Sequence, residues 1–161
     1  MKRLVLSPVV WLCLLACNNQ DKSSPETQNV NSKIKTENVM KNLVSIVEIP
    51  TTDFPRAVAF YQTILNVAIE EVEMEGTQMG VLPNEGETVS VVLVKGSDYI
   101  PTTEGAVVYL NAGKDLQPML DKVQKNGGKV IVPKTEISSE MGFFALFTDP
   151  EGNKLGLHSS N

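Results

Sequence analysis

His158 is the only histidine in the 161 residues, and it stands in DPEGNKLGLHSS, residues 149–160. Glu48 is a carboxylate set in an otherwise apolar stretch, SIVEIP, residues 45–50. Burying that charge without a partner would be costly, so it needs a hydrogen-bond donor, water or an exposed rim. A carboxylate in a dry cleft can take a proton from a carbon next to a carbonyl, with an imidazole or a phenol as acid or orienter. Tyr109, in AVVYL, is the candidate phenol. One histidine cannot supply the two-histidine, one-carboxylate set that holds non-haem iron. The bland alternative for His158, three residues before the last, is a solvated chain end.

These side chains need elements to position them. LVSIVEIP, residues 43–50, reads as a strand of apolar and β-branched residues ended by Pro50. TTDFPRAVAFYQTILN, residues 51–66, reads as a helix: Asp53 can cap the first turn, Pro55 is tolerated there, and Ala57, Phe60, Tyr61, Ile64 and Leu65 recur at helical spacing. Phe60 and Tyr61 are expected to pack this helix onto a sheet. Three strands follow around Ala68–Met74, Thr77–Leu82 and Thr88–Val94, with turns at Gly76 and PNEGE. After KGSDYIPTTEG the order repeats. AVVYLNA is a strand, and KDLQPMLDKVQKNGG is a helix begun near Asp115 and stopped by Gly127 and Gly128. KVIVPK, FFALFTD and KLGLHS are the last three strands. The chain thus reads β-α-β-β-β twice, over 43–95 and 105–160. The expected fold is α+β: two βαβββ modules forming one curved mixed sheet around a cleft, with the helices outside.

The bulk numbers exclude some classes. Hydrophobic residues are 42% and charged residues 20%, as in a folded globular domain. The net charge of −5 gives no electrostatic footprint for nucleic acid. The N-terminus, MKRLVLSPVVWLCLLAC, has basic Lys2 and Arg3, then an apolar run from Leu4 to Ala16. That run is shorter than the roughly 20 residues a spanning helix needs, and it fits a secretory signal. LLAC, ending at Cys17, resembles the lipobox of bacterial lipoproteins, in which the cysteine is lipidated and becomes the first residue. Removal of residues 1–16 also removes Cys13, which leaves no intrachain disulfide. Residues 17–42 then form a lipidated cysteine and a flexible polar tether, and 43–161 the domain. The expected location is the cell envelope, anchored by lipid to a bacterial membrane on its periplasmic or outer surface.

The paired modules carrying DFPRAVAFYQTILN, NGGKVIVP and DPEGNKLGLHS resemble the vicinal oxygen chelate superfamily, which includes glyoxalases, fosfomycin- and bleomycin-resistance proteins and extradiol dioxygenases. The resemblance covers the whole domain. It implies metal ligands facing the cleft from the first strand, the strand opening the second half, the last strand, and a fourth position near TVSVVLV. This sequence departs from that pattern. Ile46 stands seven residues before Asp53, Gly156 seven after Asp149, Val107 or Val108 on the second-half strand, and Ser90 at the fourth position. Aliphatic side chains and glycine offer no donor to a divalent cation. The expectation is therefore no metal and no other cofactor.

Residues two apart on a strand share a face. Glu48 lies two after Ile46, His158 two after Gly156, and Tyr109 two after Val107, so all three are expected in the cleft as ligand-binding residues. Leu155 and Leu157 should face the helices. Glu48 and His158 are expected to approach each other. The leading functional expectation is a membrane-anchored domain that binds a small molecule without a catalytic metal. One alternative is a lyase or isomerase with a rearranged site, so enzyme status stays open. Another is an accessory domain presenting a surface in the envelope. Pairing of the modules within one chain allows a monomer, and the family resemblance allows a homodimer.

Overall fold

The computed structural model describes residues 42–86 and 89–161. The signal segment, Cys17 and the tether up to residue 41 lie outside the described residues, as does Thr88, the expected start of the fourth strand. Ten elements follow in order: β1 (Ile46–Pro50), α1 (Phe54–Leu65), β2 (Glu70–Met74), β3 (Thr77–Val81), β4 (Ser90–Lys95), β5 (Tyr109–Asn111), α2 (Gln117–Lys125), β6 (Lys129–Ser138), β7 (Gly142–Thr148) and β8 (Lys154–Ser159).

Local chemistry explains both helices. Asp53 caps α1, its carboxylate accepting from the Arg56 amide at 3.2 Å, and Pro55 sits in the first turn. Asn66 ends the helix in the left-handed region at φ 57°, which asparagine tolerates. The second helix begins two residues later than expected. Asp115 still serves its start, accepting from the Gln117 amide at 3.0 Å, and Lys134 holds the same carboxylate at 2.7 Å. Gly127 leaves α2 at φ 93°. Gly128 is needed for a different reason: a Cβ there would lie 2.6 Å from Val123 and 2.9 Å from the Thr148 carbonyl.

The eight strands form two four-stranded mixed sheets, one per module, ordered β1-β4-β3-β2 and β5-β8-β7-β6. The first strand of each module runs parallel to its last, and the remaining pairs are antiparallel. β5 is shorter than AVVYLNA suggested. β6 is longer than KVIVPK, because β7 offers it an antiparallel partner as far as Ser138. Register shifts flank Pro133 on this edge strand, where a missing N–H is tolerated.

One core joins the modules. Phe60, Tyr61 and Ile64 of α1 cluster with Leu116, Leu120, Val123, Phe147, Leu155 and Leu157. Phe60 meets Tyr61 edge-on at 5.1 Å and Phe147 at 6.5 Å, so both α1 aromatics pack as expected. The DPEGN turn between β7 and β8 then fastens to the start of α1. Asp149 Oδ1 accepts from the amides of Glu151, Gly152 and Asn153. Its Oδ2 accepts from the buried Tyr61 hydroxyl at 2.7 Å and from Asn153 Nδ2 at 2.9 Å. Asn153 Nδ2 also donates to the Pro50 carbonyl at 2.8 Å.

Candidate functional site

Strand alternation sorts the residues around the cleft. On β1, Ile49 is 4% exposed and belongs to the core, whereas Ile46 and Glu48 point to the other face and Ile46 is 60% exposed. On β8, Leu155, Leu157 and Ser159 are buried on the helix side, which leaves Lys154, Gly156 and His158 on the cleft side. The ladders carry this face across each sheet. Ile46 is paired with Ser90, and Glu48 with Val92. In the second module Tyr109 is paired with Gly156, which in turn faces Leu146; Asn111 is paired with His158, which faces Phe144.

These registers correct one sequence expectation. Ile46 precedes the Asp53 cap by seven residues, and Tyr109 precedes the Leu116 cap of α2 by seven. Each also pairs with the module's last strand, Ile46 with Ser90 and Tyr109 with Gly156. The second-half counterpart of Ile46 is therefore Tyr109, not Val107 or Val108. Val107 precedes β5, and Val108 packs against the core while its carbonyl accepts from the Gly156 amide at 2.9 Å. A run of apolar residues without alternation could not reveal this register.

The Tyr109 ring fills the space over Gly156. A Cβ on Gly156 would lie 2.3 Å from Tyr109 Cδ1 and 2.4 Å from Cε1, closer than any real contact. Tyr109 nevertheless remains 48% exposed, so one ring face lies on the strand while the rest is open. The four positions where the family resemblance implies metal ligands thus hold an aliphatic chain, a serine, a phenol and a glycine covered by that phenol's ring. The serine hydroxyl is engaged, accepting from Asn84 Nδ2 at 3.1 Å. This donor set does not fit a divalent cation. Among the described residues no three His, Cys, Asp or Glu side chains come together.

Glu48 and His158 each have a partner of their own, and no hydrogen bond or ion pair joins the two. Glu48 Oε2 accepts from the Tyr99 hydroxyl at 3.0 Å. That hydrogen bond, followed by burial and the Glu48 charge, raises the Tyr99 pKa above its ordinary value. Tyr99 lies in the irregular segment between the modules, and no periodicity in the sequence marked it. Glu48 also lines a cavity of about 90 Å³ at the seam, with Pro50, Thr102, Glu104, Val108 and Lys154. That space suits a few waters, far below the roughly 300 Å³ of a small-molecule pocket. Tyr109 and His158 lie outside this cavity.

His158 Nε2 is 2.7 Å from the Met141 carbonyl, in the turn before β7. A carbonyl only accepts, so Nε2 carries a proton, and in the tautomer this selects Nδ1 is the acceptor. Beside it, Asn111 Oδ1 accepts from the Gly113 amide at 2.8 Å, which fixes the amide orientation and leaves Nδ2 as a donor. Asn111 and Phe144 had no sequence signal as site residues; only their pairing with His158 reveals them.

Several solved structures share the fold. The antibiotic-binding protein TnmS3 from Streptomyces sp. CB03234 is 22% identical with a TM-score of 0.60, over 77% of this chain and 100% of that one. A glyoxalase I variant from Zea mays is 19% identical with a TM-score of 0.58; the match covers 72% of this chain but only 45% of the maize protein. The fosfomycin resistance protein FosX from Listeria monocytogenes, in a complex with Mn(II) and a dihydroxypropylphosphonic acid, is 16% identical with a TM-score of 0.54, over 76% and 93% of the two chains. A glyoxylase-like domain-containing protein from Didymella fabae is 33% identical over 125 residues, 71% of this chain and 91% of that protein. The family described as Glyoxalase/Bleomycin resistance protein/Dioxygenase superfamily matches residues 43–157. Fold, module order and sequence agree: the chain belongs to the glyoxalase/bleomycin resistance protein/dioxygenase superfamily.

Proposed function

We propose that this is a binding domain for a small molecule, working without a catalytic metal and held at a bacterial membrane by a lipid on Cys17. The observation that carries the reading is the Tyr109 ring pressed on Gly156, where a metal ligand would have to project. The open cleft face offers apolar surface with a few polar anchors, the composition of a small-molecule site. The likeness to a protein described as antibiotic-binding supports the same reading. Glyoxalase-type proton abstraction by Glu48 has less behind it: the carboxylate is exposed, already accepts from Tyr99, and has no imidazole beside it.

The test is native mass spectrometry and elemental analysis of the mature chain extracted in detergent. The expected result is a non-covalent organic ligand, or one acquired from a small-molecule library, with far less than one transition metal per chain. About one zinc, nickel, iron or manganese per chain, removable with loss of ligand binding, would overturn it. A protein partner captured from the envelope, with no ligand on the cleft face, would instead favour an accessory role.

A further inference from the structure

Three features on neighbouring strands of the second module describe a ligand more closely than the fold does. The Tyr109 ring lies with one face on Gly156 yet is about half open. It presents a preoriented aromatic face, so stacking on it costs little side-chain entropy. One pleat further along the same face stand His158 and Asn111, directly paired across β5 and β8. His158 offers an acceptor at Nδ1, because the Met141 carbonyl holds the proton on Nε2. Asn111 offers a donor at Nδ2, because the Gly113 amide holds its oxygen.

Paired residues on adjacent strands have Cβ atoms about 5 Å apart, and diagonal neighbours about 7–8 Å. A donor and an acceptor therefore sit side by side, about one aromatic ring's width from the tyrosine. We infer that the cleft takes a planar, fused aromatic molecule that stacks on Tyr109 and turns an edge bearing an N–H or O–H beside a carbonyl toward His158 and Asn111. This inference rests on the binding reading above and gives the chemistry of the ligand. Phe144, paired with His158 on its other side, closes the strip with a second apolar wall.

The experiment is calorimetry and NMR on the full mature chain in detergent, with 2-quinolone as the probe. N-methyl-2-quinolone lacks the donor, and δ-valerolactam keeps the polar edge without the fused ring. The expected result is binding of 2-quinolone with shifts at Tyr109, Gly156 and His158. N-methylation should weaken it by about threefold to tenfold, the worth of one hydrogen bond. Tyr109→Ala should weaken it by a similar factor while Tyr109→Phe leaves it unchanged. In His158→Phe a ring remains but the acceptor at Nδ1 is gone, so the two quinolones should bind alike. Equal binding of the two quinolones to the wild type, no effect of Tyr109→Ala, or no binding of 2-quinolone would overturn the inference. An aliphatic ligand found on the cleft by the copurification experiment would overturn it too, while leaving the metal-free binding reading intact.

Discussion

Arg56 Nε donates to Glu151 Oε1 at 2.7 Å, joining residues 95 apart in sequence, and the Glu151 side chain is fully shielded from solvent. The other carboxylate oxygen accepts from the Thr52 amide at 2.7 Å, the Thr52 hydroxyl at 2.8 Å and the Asp53 amide at 2.9 Å. A glutamate from the second module thus satisfies amides ahead of the first helix, whose positive end also favours its charge.

This contact should make the fold acid-sensitive in a defined window. Burial by itself would raise the Glu151 carboxyl, but Arg56 and the Thr52 and Asp53 donors outweigh it and hold the pKa at about 2, from an ordinary 4.5. A depressed carboxyl stabilises the fold above its unfolded pKa, and that stability is lost as pH falls from about 4.5 toward 2. Glu151→Gln should cost about 2–3 kcal/mol at pH 7 and flatten the pH dependence of chemical denaturation in that window. An unchanged slope in the variant would show that the carboxylate is not the acid-sensitive joint.

Tyr61 should remain a neutral phenol as long as the domain is folded. Burial first, then the neighbouring Asp149 charge and the hydrogen bond to it, push its pKa well above 10. A raised phenol pKa means that this stabilisation is present below about pH 10 and is lost as pH climbs toward the folded value. Tyr61→Phe should leave the alkaline absorbance change of the native protein unaltered while costing about 1–3 kcal/mol at neutral pH. A smaller native absorbance step in the variant would mean that Tyr61 ionises without unfolding.

The Tyr109 ring and Gly156 should be energetically coupled. Gly156→Ala places a methyl group where the ring lies and should cost about 1 kcal/mol, the low end for overpacking, because a half-exposed ring can swing out. In a Tyr109→Ala background the same change should be neutral or stabilising, since alanine suits a strand interior better than glycine. A double-mutant cycle by urea denaturation measures the difference. An equal penalty in both backgrounds would place the ring elsewhere.

Membrane attachment should depend on the Cys17 thiol. The wild-type chain should partition into the detergent phase and carry acyl mass on its first residue, while Cys17→Ser should move to the aqueous phase. A mature N-terminus at another residue, or an unmodified cysteine, would refute the lipid anchor.

The sequence by itself determined the elements and their faces. Asp53, Pro55 and Gly127 mark helix ends by backbone chemistry that acts within a turn, and the structure places them there. Strand alternation put Leu155 and Leu157 on the core side and Glu48 and His158 on the other, because the period of two belongs to the strand alone. Only the tertiary structure decided what those side chains meet. Tyr99 reaches Glu48 across 51 residues, and the Met141 carbonyl accepts from His158 Nε2 across 17. The Tyr109 register depends on a three-residue ladder with β8. Glu151 was legible as a turn residue, but its donors lie 95 to 99 residues away. Such contacts follow from packing within and between the modules, and packing of non-local surfaces leaves no periodic trace along the chain.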